Sequence, residues 1–169
     1  MDESTFSLEF PVRRCWMKRG QQKTYPAHTS ERKQVHLIGA LDWCCDAVHC
    51  LPVERKHTAT FFAFIEWLCL TVYPDDPLVL VLDNVSYHRS APIMALLSLL
   101  EPRVQVIWLP KYSPDMNPIE RFWLHLKDHV YANRLFDSLA HLLDHIQLWL
   151  AIQNASDHPY RLSFAKSFQ

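Results

Sequence analysis

Apolar positions along the chain change period several times, and each change marks an element. Gln34 to Trp43 (QVHLIGALDW) and Ala47 to Val53 read as an antiparallel pair closed by a tight turn around Cys45-Asp46. Thr58 to Tyr73 sets Phe61, Phe64, Ile65, Leu68 and Val72 at helical spacing, with Thr58 or Thr60 as N-cap and Pro74 just past the end. Leu78 to Leu82 is apolar at every position, the pattern of a strand covered on both faces. Ser90 and Pro92 open a helix that runs to Leu100, and Val104 to Leu109 is the next strand. Pro118 to Val130 is a helix with Ile119, Phe122, Trp123, Leu126 and Val130 on its buried stripe. Asp137 or Ser138 caps a last helix that turns Leu139, Leu142, Leu143, Ile146, Trp149 and Leu150 inward. Met1 to Phe10 alternates loosely, as the remainder of a strand would, and Cys15 to Gly20 reads as a short strand. Beyond Asn154 the periodicity fades.

Three strands followed by alternating helix and strand predict an α/β fold, a mixed sheet with helices on its faces. The expected division is one domain over 1–153 and a C-terminal tail over 154–169. At 169 residues the chain is long enough to bury a core of its own. With only two glycines, Gly20 and Gly39, it has no glycine-rich phosphate loop, which excludes P-loop and dinucleotide-binding readings.

Charge and cysteine usage narrow the picture further. Net charge is -1, but between Pro11 and His36 seven basic residues (Arg13, Arg14, Lys18, Arg19, Lys23, Arg32, Lys33) face one acid, Glu31. Such a run is either a solvated loop face or an arm that contacts phosphates, with Trp16 and Tyr25 interleaved. Five cysteines with no paired CxxC predict reduced, structural thiols in a cytoplasmic protein. The Cys44-Cys45-His49-Cys50 cluster lacks a second ligand pair at zinc-finger spacing. No apolar run reaches the roughly 18 residues a membrane span needs.

Asp2, Asp83 and Glu120 are the acids that stand out. Asp83 follows the apolar run Leu78 to Leu82, and Glu120 follows the Val104 to Leu109 run in the first turn of a helix. Open α/β sheets place their chemistry at such strand ends. Carboxylates from separate elements that converge there suit a pair of divalent ions. Each acid also has a local explanation. Asp83-Asn84 is a strand-to-loop signal, Asn117-Pro118-Ile119-Glu120 spells a capping box, and Asp2 is a terminal charge.

VLDNVSYH, then a helix and a strand, then WLPKYSPDMNPIERFWLHLK closely resembles the catalytic domain of DDE transposases. The resemblance is to the bacterial insertion-sequence branch of the mariner superfamily and spans nearly the whole chain. Asp2-Glu3-Ser4-Thr5-Phe6 fits the family's DE-S-x-F motif, Leu82-Asp83-Asn84 with His88 its LDN-x-x-x-H motif, and Ser113 to Trp123 its SPxxNPIExxW motif. Trp16, Arg19 and Gly20 loosely match a tryptophan-arginine-glycine stretch. The resemblance implies a ribonuclease H-like, mixed five-stranded sheet flanked by helices, its first strand truncated just before Asp2. It also implies that Asp2, Asp83 and Glu120 bind two Mg2+ (or Mn2+) ions, which drive cleavage at transposon ends and strand transfer into target DNA. The partners implied are double-stranded DNA and a second copy in a homodimer. Lys111, Tyr112, Lys127, His88, Arg13 and Arg14 are expected to position DNA, with a place beside the metal ligands also open to His88. Lys127, two helical turns after Glu120, reads equally as a solvated lysine. The helix-turn-helix modules of complete transposases are not in this sequence, so the chain alone is expected to lack full activity. The rival readings are a non-catalytic DNA-binding or protein-association domain of the same fold, and a nuclease acting on RNA–DNA hybrids.

Overall fold

The computed structural model describes residues 1–8, 16–21, 24, 33–110 and 116–155. Strands β1 (Asp2–Ser7), β2 (Gln34–Asp42) and β3 (Ala47–Val53) form an antiparallel sheet in that order. Helix α1 (Thr58–Trp67) leads to β4 (Leu78–Leu82), helix α2 (Ala91–Leu99) and β5 (Val104–Trp108). Helices α3 (Pro118–Leu126) and α4 (Leu139–Asn154) close the order. The fold is mixed α/β. Its strands form two ladders, β1–β2–β3 and a parallel pair β4–β5, where a single five-stranded sheet was expected. The Met1 amine bridges them, donating to the Val81 carbonyl at 2.9 Å.

Strand β2 is the wall between two cores. Val35 and Leu37 point to α3 and α4, against Phe122, Trp123, Leu126, Leu142 and Ile146. Ile38 and Ala40, on the opposite face, join α1, α2 and β4 through Phe61, Phe64, Ile65, Ile93, Leu80 and Leu82. Each fully buried side chain of this size contributes about 1.5–3 kcal/mol. Gly39 is where the α3 layer comes closest. A Cβ there would lie 2.9 Å from Cη2 of Trp123 and 2.9 Å from Sγ of Cys50. Gly39→Ala is therefore expected to cost about 1–3 kcal/mol by overpacking, read as a lower denaturation midpoint.

Several local expectations are corrected. The N-cap of α1 is His57, not a threonine, and Thr60 completes the capping box with it. Residues 16–18 form no strand, and Cys15 lies outside the described residues. Strand β4 is covered on one face only. Leu80 and Leu82 are buried, but Val79 is 59% exposed, as is Ile107 of β5 at 54%. The reason is the layering: α1 and α2 cover one face of this pair, while α3 and α4 pack on β1–β3.

The ends of helices show why the chain turns where it does. α1 runs on through a π-helical turn, Leu68–Val72, before Pro74. The Arg103 guanidinium donates to the carbonyls of Cys69, Tyr73 and Asp76 at 2.8–3.1 Å, satisfying the acceptors that a helix end leaves open. Asp42 Oδ1 accepts from the amides of Cys44 and Cys45, shaping the β2–β3 turn, where Asp46 takes φ 55°. No helix among the described residues is long and apolar enough to cross a membrane.

Candidate active site

Asp2 sits at the start of β1, paired with Gly39 of β2, and is buried. Strand alternation sends Asp2, Ser4 and Phe6 toward α3 and sends Glu3 to the opposite face. The indole Nε1 of Trp123 donates to Asp2 Oδ2 at 3.0 Å. Burial first, then repulsion from Glu120, Glu3 and Asp83, pushes the Asp2 carboxyl up to about 7. Glu120 and Asp83 are thus both near enough to act on Asp2.

Asp83 lies just past β4 and is half-buried. Burial works against its charge, but the hydrogen bond and positive charge of His88 outweigh that and hold the carboxyl below its usual range. His88 is fully buried, on a 3₁₀ turn, Ser86–Arg89. Its Nδ1 meets Asp83 Oδ1 at 2.5 Å and its Nε2 meets Glu3 Oε1 at 2.9 Å. Its ring stacks on Phe61 with centroids 3.7 Å apart. Burial disfavours the imidazolium, yet the bonds to Asp83 and Glu3 prevail and raise its pKa to about 9. His88 is therefore a buried cation clamped between two carboxylates. Tyr87 donates to the other Glu3 oxygen at 2.8 Å.

Asn84 adds a brace. Its amide donates to the Leu109 carbonyl, tying the end of β4 to the end of β5, and it accepts from Arg89 at 3.0 Å. Leu82-Asp83-Asn84 thus combines one candidate ligand with one side chain that fixes the strand ends.

Glu120 is exposed, in the first turn of α3. Asn117 and Pro118 take the helix-start positions that the sequence suggests, but the expected side-chain cap is absent. The Asn117 amide instead donates to the Met1 carbonyl at 3.2 Å, tying α3 to the start of β1. Among the described residues no hydrogen bond holds the Glu120 carboxylate, which leaves it available to a ligand.

The arrangement fits hard, oxygen-seeking cations in its donor chemistry. No three His, Cys, Asp or Glu among the described residues are grouped tightly enough to cage an ion as they stand. Burial first, and then the neighbouring carboxylates, raise the Asp2 carboxyl, and a divalent cation beside it would oppose that shift. Trp123→Phe, which keeps most of the packing and removes the indole donor, is expected to weaken Mg2+ binding about 10–100-fold, as loss of ligand-orienting partners does. Calorimetric titration measures it.

Other predicted contacts fare differently. His88 has both ring nitrogens engaged and no exposed surface, and it lies beside the acids. Lys127 lies at the end of α3 with its ammonium 5.4 Å from the Phe6 ring centroid. Lys111, Tyr112, Arg13 and Arg14 fall outside the described residues. Cys44, Cys45, Cys50 and Cys69 form no disulfide among the described residues, and burial pushes the Cys50 thiol up. The sequence reading missed Glu3, Tyr87 and Trp123 as site residues. Glu3 had a signal in its place beside Asp2, and Trp123 in closing the SPxxNPIExxW motif.

The profile of the family described as DDE superfamily endonuclease matches residues 1–143. This chain belongs to the DDE superfamily of endonucleases. Among curated relatives, this DDE chain is 30% identical over 146 residues to the insertion element IS630 uncharacterized 39 kDa protein of Shigella sonnei, covering 86% of this chain and 42% of that protein. It is 27% identical over 67 residues to an uncharacterized protein of Sinorhizobium fredii, covering 40% of this chain and 46% of that protein. The chain thus spans less than half the length of these relatives. Its fold is that of the Mos1 mariner transposase. The Mos1 strand transfer complex superposes with a TM-score of 0.72 at 19% identity, covering 97% of this chain and 49% of that one. The Mos1 catalytic domain superposes at 0.64 and 19% identity, covering 79% and 68%.

Proposed function

We propose that this chain is the catalytic domain of a DNA transposase that cleaves transposon ends and joins them to target DNA. The observation that carries the reading is that Glu120 and Asp83, from two other elements, both act on the buried Asp2 carboxyl, which burial first and then these neighbours raise. Two Mg2+ or Mn2+ ions at these acids would supply Lewis acidity to in-line displacement at phosphorus. Mos1 structures with Mg and with Mn share the fold and support that choice of cation.

The chain's own groups have separable tasks. Asp83, kept ionised by His88, is a ready anionic ligand at neutral pH. Asp2 is aimed by Trp123, and Glu120 projects from α3 without a competing bond among the described residues. Water attack on a transposon-end phosphorus breaks one P–O bond and frees a 3′-hydroxyl. Attack of that hydroxyl on target DNA forms the new P–O bond and releases a target 3′-oxygen, so no protein nucleophile is required. Double-stranded DNA is the substrate in this reading, and a homodimer would bring two ends together. The ribonuclease H-like five-stranded sheet belongs to the same proposal, with β1 between β2 and β4. The Met1-to-Val81 bond supports that order.

Mg2+ and Mn2+ titration, followed by incubation with linear duplex DNA, tests the reading. Saturable cation binding and cation-dependent nicking are expected. A chain that binds neither ion would count against it.

A further inference from the structure

Arg89 closes the 3₁₀ turn that follows β4, one residue past His88. Successive side chains on such a turn stand about 120° apart. With His88 locked inward by Asp83 and Glu3, Arg89 is turned out to solvent. Its guanidinium is nonetheless held. Nη1 donates to Asn84 Oδ1 at 3.0 Å, and the guanidinium carbon lies 4.9 Å from the centroid of the Trp108 ring. Asn84 directly follows Asp83, and Trp108 is the register partner of Leu82 at the ends of β5 and β4. The cation therefore stands at the same strand ends as the candidate ligand Asp83.

Three features set Arg89 apart from an ordinary surface cation. Partners from the ends of two strands fix it, so a planar fork is already oriented before any ligand arrives. Among the described residues it pairs with no carboxylate, although the residue before it is clamped between two. Only Nη1 is engaged, which leaves the Nε and Nη2 edge, the fork that meets two oxygens of one phosphate. The acids at these strand ends repel the phosphates that must reach them, and a fixed cation beside them offsets that repulsion.

We propose that Arg89, laid on Trp108 and steadied by Asn84, binds one phosphodiester of the DNA backbone beside the candidate metal ligands. The proposal rests on the transposase reading only for the choice of DNA as the polyanion. Trp108 is the platform: its ring is half-buried against the α1–α2 core and presents a face to the guanidinium. A contact to phosphate places the strand and carries no base preference.

The full chain, in EDTA, is titrated into a fluorescein-labelled duplex of about 20 base pairs, with anisotropy followed across about 50–200 mM KCl. Arg89→Gln is expected to weaken binding about tenfold and to reduce the slope of log affinity against log salt by about 0.9, the share of one phosphate. Its denaturation midpoint should match the parent's, since Arg89 is exposed. Arg89→Lys keeps the charge but loses the fork, so it should restore the slope while binding about threefold more weakly than the parent. Trp108→Leu should keep the slope and lose about threefold in affinity. A parent-like slope in Arg89→Gln overturns the proposal, as does a slope in Arg89→Lys as low as that of Arg89→Gln. A parent chain that binds no duplex overturns it too, and saturable Mg2+ binding by that chain would leave the metal reading standing. An Arg89-dependent slope in a chain that binds no divalent ion would sink the metal reading and keep the phosphate site.

Discussion

Glu120→Gln and Asp83→Asn are each expected to lower Mg2+-dependent DNA cleavage by about 10³-fold, the equivalent of about 4 kcal/mol of transition-state stabilisation. Glu120→Gln is the cleaner experiment. The Glu120 carboxylate is exposed and makes no hydrogen bond among the described residues. The amide therefore removes an anionic ligand and leaves the fold alone, so the denaturation midpoint should stay within about 0.5 kcal/mol of the parent. Asp83→Asn removes a ligand and also the counter-charge of His88, so its loss of cleavage should come with a measurable loss of stability. Steady-state nicking rates and thermal denaturation of both variants separate the two effects. Undiminished cleavage by Glu120→Gln would remove it from the ligand set.

Replacement of His88 by alanine is expected to destabilise the fold by about 3 kcal/mol, the lower end of the range for breaking a buried ion pair. The lower end applies because the Asp83 side chain keeps 32% of its exposure, whereas Glu3 keeps 5%. The change leaves Glu3 and Asp83 without their shared cation and opens a gap beside Phe61. At about 2–4 °C per kcal/mol, the midpoint should fall by about 6–12 °C. With divalent ions chelated, pH gives a second signature. The folded pKa of about 9 lies above the ordinary histidine value of about 6.5. The stabilisation is thus fully present below about 6.5 and is lost as pH rises through 9. The gap between parent and His88→Ala should narrow across that window. A gap that stays constant with pH would mean that His88 acts by packing alone.

Much of this arrangement was legible in the chain. The β2–β3 pair, the α2 start at Ser90 and Pro92, and the buried stripe of α3 follow from period and caps, because local chemistry decides them. Coverage of β4 was not legible. A run such as Leu78 to Leu82 carries no mark of which layer reaches it, and Val79 is open because α3 and α4 sit elsewhere. The capping box failed for a similar reason. Asn117 has the right type and place, but the Met1 carbonyl, 116 residues away in sequence, claims its amide. The candidate ligands came from the resemblance to the DDE transposase motifs, since spacing alone left each acid with a local explanation. Their supports were not legible, since Trp123 to Asp2 and His88 to Glu3 are long-range contacts.

The pleat of β1 sorts two neighbouring carboxylates. Asp2 turns to Trp123 and Glu3 to His88, one residue apart in sequence and on opposite faces. A slip of β1 by a single residue against β2 would turn both to the wrong face: with Glu3 in the place of Asp2 under the indole, Ser4 would stand in the place of Glu3 toward the imidazole. His88 would then lose a carboxylate partner. Strand register is therefore a ruler for this site, and side-chain length at positions 2 and 3 is the mark it reads. The double exchange Asp2→Glu with Glu3→Asp preserves composition and charge but should disturb both faces at once.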